Sequence, residues 1–193
     1  MSATTIAGSS RHSDYAVSAA QLCQAEPRPL NPKLAHYNFL TTWRFRHPIQ
    51  TVWNAINTPE DYPNWWPNIL YYKCLIPENP RGVGAKGERS VKGPLPYSLR
   101  YTTTITRSEA PHDLSYDADG DLVGYGSFEL RQIATGPLAG GTEVLIYWNV
   151  ATQGRWLNRL APVLKWLFAA NHNYVMRRGQ RGLAKWLENH PYA

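Results

Sequence analysis

The chain has 193 residues, 43% of them apolar and 18% charged, with a formal net charge of +6 at pH 7. That size and balance predict a single folded domain with a real core and exclude a fibrous or wholly disordered chain. No apolar run reaches the roughly 20 residues of a membrane-spanning helix, which excludes an integral helical membrane protein.

Segment 1–36 differs from the rest. It is rich in Ser, Thr and Ala, and Pro27, Pro29 and Pro32 break any regular element near its end. It has no basic stretch followed by an apolar one, so it does not read as a secretory signal. The expectation is a disordered leader, 1–36, before one ligand-binding domain, 37–193. Cys23 and Cys74 fit no metal spacing, and so few thiols suit a reducing compartment, with the cytoplasm as the expected location.

Tyr37–Phe45 alternates strictly. Tyr37, Phe39, Thr41, Trp43 and Phe45 share one face, which predicts a half-buried antiparallel strand. His47-Pro48 ends it, and Ile49–Asn57 follows as a short helix with Ile49, Val52, Trp53 and Ile56 inward. TPEDYPNWWPN predicts a second helical turn anchored by Trp65 and Trp66. Six more strands follow: Ile69–Ile76, Ala85–Val91, Pro96–Arg107, Asp113–Asp119, Gly124–Ile133 and Thr142–Thr152, separated by Gly, Pro and Asp signals.

Two motifs in this stretch read as turns. Gly82 to Gly87 spells G-x-G-x-x-G, but no strand leads into it and no helix opens after it, so the dinucleotide-binding reading is rejected. Asp119-Gly120-Asp121 reads as a hairpin tip, with Asp121 at a cavity mouth as the alternative. Gly124 and Gly126 mark a bend in the sheet.

The last element spans Leu157–Leu187. Leu157, Leu160, Leu164, Phe168, Val175, Gly179, Leu183 and Leu187 recur at steps of three and four, the stripe of a helix burying one face. Asn171 and His172 interrupt that stripe, and Gly179 and Gly182 each cost about 1 kcal/mol inside a helix. Such a helix is expected to line a space rather than seal a core. It also holds the excess charge. Residues 1–154 carry 13 Lys/Arg and 13 Asp/Glu, whereas residues 155–193 carry seven Lys/Arg against Glu188 alone. Arg177, Arg181 and Lys185 form one outward row, read either as a solvated face or as a docking surface for an acidic partner.

The stretches TTWRFRHPIQTVWNAI, YPNWWPN, KGPLPYSLRY, GDLVGYGSFEL and LAPVLKWLFAANHNYVMRRGQRGL, in this order, resemble the START-like helix-grip superfamily (SRPBCC), in its polyketide cyclase/dehydrase and lipid-transport branch. The resemblance covers residues 37–188. It implies an α+β helix-grip fold: a seven-stranded curved antiparallel sheet wrapped around a long C-terminal helix, with an apolar cavity between them. It is specific for fold and much less so for activity.

His172 is the leading chemical candidate, because an imidazole can move a proton near neutral pH. Asn171 could hold a carbonyl or orient that ring, and Tyr97 and Tyr101 could donate phenolic hydrogen bonds to the same space. The alternative is a buried His–Asn pair satisfied by the backbone. Phe39, Trp43, Tyr116, Phe128, Trp148, Phe168, Val175 and Gly179 are the expected ligand-binding set.

The resemblance implies a hydrophobic or aromatic ligand (polyketide-like, lipid or isoprenoid), with cyclase/dehydrase activity that needs no cofactor and no metal. The competing reading is a non-enzymatic lipid or hydrophobic-ligand carrier or chaperone. It would dock through Arg177, Arg181 and Lys185 on an acyl carrier protein or an anionic membrane surface. Nucleic acid is not expected, because residues 1–154 are neutral and no recognition motif accompanies the charge.

Overall fold

The computed structural model describes residues 36–76, 82–152 and 161–190. Its strands are β1 (His36–Phe45), β2 (Ile69–Ile76), β3 (Lys86–Lys92), β4 (Ser98–Glu109), β5 (Asp113–Gly120), β6 (Leu122–Gln132) and β7 (Thr142–Thr152). They form one antiparallel seven-stranded sheet in the order β1-β7-β6-β5-β4-β3-β2. Helix α1 (Ile49–Ile56), a 3-10 turn (Pro59–Asp61) and the short helix α2 (Tyr62–Trp65) lie between β1 and β2, and α3 (Ala161–Asn189) follows β7. The fold is the α+β arrangement the element order predicts, with strand limits displaced by one or two residues. Residues 1–35 of the expected leader, and Leu157 and Leu160 of the expected stripe, lie outside the described residues. The same holds for the side chain of Leu164.

Hairpin chemistry sets the strand pairing. Asp119-Gly120-Asp121 makes the turn from β5 to β6, and the Asp121 carboxylate accepts the Arg100 backbone N–H at 2.8 Å. At the opposite end of β4 and β5, Arg107 donates twice to the Asp113 carboxylate, at 2.9 and 2.6 Å. Ser115 adds a third bond to the same group at 2.9 Å. A carboxylate held by a bidentate guanidinium and a hydroxyl has partners that offset the desolvation cost of its burial.

The register places large inward residues beside small ones. Phe39 lies opposite Trp148, Trp148 opposite Gly126, and Gly126 opposite Tyr116. A Cβ on Gly126 would sit 2.6 Å from Trp148 and 2.8 Å from Tyr116, so the missing side chain is the room those two rings occupy.

α3 crosses the concave face and is seated by its C-terminal half. Leu183 and Leu187 are fully buried, among Trp43, Trp53, Trp65 and Trp66. Gly179 lies against the Trp66 ring, and Gly182 lies against the backbone carbonyl of Trp65. Trp66 Nε1 donates to the carbonyl oxygen of Val175 at 3.0 Å. The helix glycines therefore do not open a space. They admit the Trp65-Trp66 pair, which corrects the expectation that Gly179 contacts ligand.

This contact makes the two glycines intolerant of a methyl group. Alanine would raise helix propensity by about 1 kcal/mol. Its Cβ at 182 would collide with a backbone oxygen that cannot rotate away, and at 179 it would lie 2.5–2.9 Å from ring atoms of Trp66. Overpacking of this kind costs about 1–3 kcal/mol. Gly182→Ala and Gly179→Ala should each lower the melting temperature by several degrees, at about 2–4 °C per kcal/mol. A circular-dichroism melt that is unchanged or raised would show the seat to be loose.

Candidate ligand-binding site

Between the inner face of the sheet and residues 168–176 of α3 lies a cavity with an empty volume of about 860 Å³, its mouth included. The sheet contributes an aromatic floor, with Tyr101 5.8 Å and Tyr116 5.7 Å from the Trp148 ring, and Phe128 5.9 Å from Tyr116. Helix α3 forms the roof with Phe168, Asn171, His172, Val175 and Met176.

The roof is tied to β1 by rings. Phe168 stacks on Tyr37 at 4.7 Å, and His172 stacks on Phe39 at 4.0 Å with an interplanar angle of 8°. Thr41 Oγ1 and His172 Nε2 are 3.2 Å apart and share a hydrogen bond. On the other side Asn171 reaches Gly93, in the connection between β3 and β4, where a side chain would collide with its amide. Three buried polar atoms of this wall have no hydrogen-bond partner in the protein: Tyr37 Oη, Asn171 Oδ1 and Arg89 Nε. Buried polar groups are normally satisfied, so unpartnered atoms on three residues that line one cavity, from β1, β3 and α3, mark groups whose partners the protein does not supply.

The structure thus brings His172, Asn171, Tyr101, Phe39, Tyr116, Phe128, Trp148, Phe168 and Val175 to one cavity. Three predicted residues stand elsewhere. Trp43 is 1% exposed and packs edge-on against Trp66 at 5.3 Å, inside the solid core. Tyr97 precedes β4 and packs on the cluster of Tyr37 and Phe168 without lining the cavity. Gly179 is covered by Trp66. Arg177, Arg181 and Lys185 lie exposed on the outer side of α3, and none forms an ion pair among the described residues.

Sequence reasoning missed Arg89, whose side chain lines the cavity from β3. The signal lay in register: Arg89 pairs with Tyr101, and Val91 with Leu99, so Arg89 must share their inward face. GERSVKG conceals this, because its polar residues fall on both faces. Tyr37, Trp66 and Met176 also line the cavity, where the sequence pattern marks them at most as packing residues.

Electrostatics follow from burial. His172 is pushed down from its ordinary 6.5 to about 4 by desolvation, so it is neutral at pH 7. An imidazole so placed donates or accepts a hydrogen bond and is a weak base near neutrality. Burial raises Tyr101 and Tyr116, and the Arg89 charge partly opposes the rise in both. Burial raises Tyr37 as well. These phenols remain protonated donors. Among the described residues no group of three or more His, Cys, Asp or Glu side chains could hold a metal ion. Nor is any described helix long and apolar enough to cross a membrane.

No family model matches the chain, and no curated protein matches it. Solved structures do. The chain is similar to the Zhui aromatase/cyclase from Streptomyces sp. R1128, with a TM-score of 0.65 at 12% identity over 82% of this chain and 97% of that one. It is similar to TTHA0849 from Thermus thermophilus, with a TM-score of 0.60 at 11% identity over 76% and 97% of the two chains. It is also similar to the di-domain ARO/CYC BexL of the BE-7585A biosynthetic pathway, with a TM-score of 0.59 at 12% identity, covering 80% of this chain and 50% of that one. At these identities the likeness establishes the fold alone, an α+β helix-grip domain.

The displaced His172 value has a consequence for stability. The unfolded state binds the proton near 6.5 and the folded state only near 4, so the unfolded state is favoured as pH falls between them. Protonation of His172 has no effect on stability above about 6.5 and withdraws stability progressively down to about 4, on the order of 3 kcal/mol at the limit. Denaturant midpoints measured from pH 7 to pH 4.5 should fall steeply for the native chain and more gently for His172→Gln. Parallel curves would assign the acid sensitivity to other groups.

Proposed function

We propose that this chain binds a hydrophobic or aromatic small molecule, of polyketide-like, lipid or isoprenoid type, in the cavity between sheet and α3. The observation that carries the reading is a cavity with an aromatic floor, three of whose lining residues carry buried, unpartnered polar atoms. Apolar area supplies affinity there, and the few polar atoms select orientation. We assign this role to one domain, 37–193, with the leader outside it.

Its enzymatic form is cofactor-free ring closure and water loss, as the names of the similar aromatase/cyclases suggest. Tyr101, Asn171 and His172 converge on one space, so a flexible chain with several carbonyls could be held folded with one enol carbon against one carbonyl carbon. Pre-orientation alone can supply much of such a barrier. The Tyr101 phenol is suited to donate to the carbonyl oxygen that gains charge as the carbon–carbon bond forms. Asn171 and neutral His172 would fix the chain by hydrogen bonds.

A second reading, the carrier, is favoured by the exposed row of Arg177, Arg181 and Lys185, which has no carboxylate partner among the described residues. A carrier would deliver the same ligand by docking this row on an acyl carrier protein or an anionic membrane. Exposed charges act over about 10 Å at 0.1 M salt, so such docking must weaken as salt rises.

A neutral hydrophobic dye such as Nile red should bind the native chain at one site and be displaced by polycyclic aromatics or lipids. Val175→Phe places a ring in the cavity wall and should weaken that binding about tenfold, or 1.4 kcal/mol, with the fold intact by circular dichroism. Dye binding that ignores this change would place the site elsewhere. Mass spectrometry of compounds extracted from the purified protein supplies the natural ligand. Turnover of that compound, lost about 10²-fold or more in Tyr101→Phe with binding kept, is the enzyme's signature. Binding without turnover in the native chain is the carrier's.

A further inference from the structure

Arg89 is the one cation on the cavity wall among the described residues, and its setting is built. Nη2 donates to Thr103 Oγ1 at 2.8 Å. The guanidinium carbon stands 5.4 Å from the Tyr62 ring centre and 5.6 Å from that of Tyr72, which support the charge through their π faces. Nε is buried and has no acceptor. Among the described residues no carboxylate reaches ion-pair distance: the two ion pairs present are Arg44–Glu143 and Arg107–Asp113. Glu60, whose charge is felt by Tyr62 and Tyr72, is not within that distance of Arg89.

A guanidinium cannot shed its proton to escape burial, as lysine can, so its charge persists in the cavity. Buried charges are stable when paired. Here the protein supplies one neutral hydroxyl and two ring faces, gives Nε no acceptor, and places Arg89 between the main cavity and a smaller pocket lined by Tyr62, Tyr72 and Thr103. A planar, two-oxygen anion fits a guanidinium edge, since carboxylates take parallel hydrogen bonds from guanidinium.

We propose that the ligand of this cavity is a hydrophobic carboxylic acid whose carboxylate seats on Arg89 while its apolar body lies along the aromatic floor. The proposal rests on the cavity being the ligand site, as argued above, and narrows the ligand to an acid. Neutral oxygens could take the same hydrogen bonds, but only an anion also neutralises the charge.

The experiment compares two acids with their methyl esters, 2-naphthylacetate and decanoate, by displacement of Nile red at pH 7.5. The acids should bind about 10- to 100-fold more tightly than the esters, the advantage of an ion-paired over a neutral hydrogen bond. In Arg89→Gln the acid should lose that advantage while ester affinity stays within about threefold, and Arg89→Lys should restore part of it. Melting curves show whether each variant is folded. If Arg89→Gln does not fold, Arg89→Lys alone still reports, because a point charge should keep acid selectivity but reduce it. Acid and ester binding equally to the native chain would mean the charge is neutralised within the protein, and would overturn the proposal. So would a preference that survives Arg89→Gln. Failure of Nile red, acids and esters alike to bind would instead sink the cavity as a ligand site, and this proposal with it.

Discussion

The packing of Trp65 and Trp66 into the notches left by Gly179 and Gly182 decides where everything else can go. Gly182 lets a backbone carbonyl approach the helix, and Gly179 lets an indole lie against it. The bond from Trp66 Nε1 to the Val175 carbonyl then fixes the helix along its own axis. Close-packed contacts of this type admit one arrangement, because sliding by a turn would drive side chains into the tryptophans. With its C-terminal half anchored, α3 has a fixed height over the sheet near residues 168–176, and the cavity is the space left beneath it.

That cavity is electrostatically lopsided. Its aromatic floor and its burial from water work against charge, so His172 is held neutral and the tyrosines hold their protons. Arg89 keeps its charge in the same surroundings because a guanidinium does not titrate. Protonated phenols, a neutral imidazole and one fixed cation give this site hydrogen-bond donors and a positive charge. The fold sets this contrast, since α3 lies over a seven-stranded sheet and leaves a cavity beneath residues 168–176.

The strands were legible because alternation has a direct physical cause. In β1, β4 and β7 the inward set of each strand reads off at every second residue, and the sheet must bury that set. The stripe of α3 was legible for the same reason, through Val175, Leu183 and Leu187. Most of the cavity wall followed from those faces. Trp43 did not, because alternation gives the face and not the depth: it shares the inward face with Phe39 yet lies in the solid core against Trp66.

By itself, then, the amino-acid sequence determined the element order and the inward faces, both of which depend on local periodicity and turn chemistry, while the helix-grip class followed from the resemblance of its motifs. Tertiary structure alone decided which inward residues meet a cavity and which meet each other. Gly179 and Gly182 look in sequence like room for a ligand, and only the approach of Trp65 and Trp66 from 113–117 residues earlier in the chain shows that the room is taken. Arg89 sits in a stretch too polar for its faces to be read, and pairing with Tyr101 on β4 turns it inward. His172 has an ordinary side chain whose proton affinity depends on the water removed around it. Desolvation, pairing register and close approach are properties of atoms distant in the chain, which no local pattern encodes.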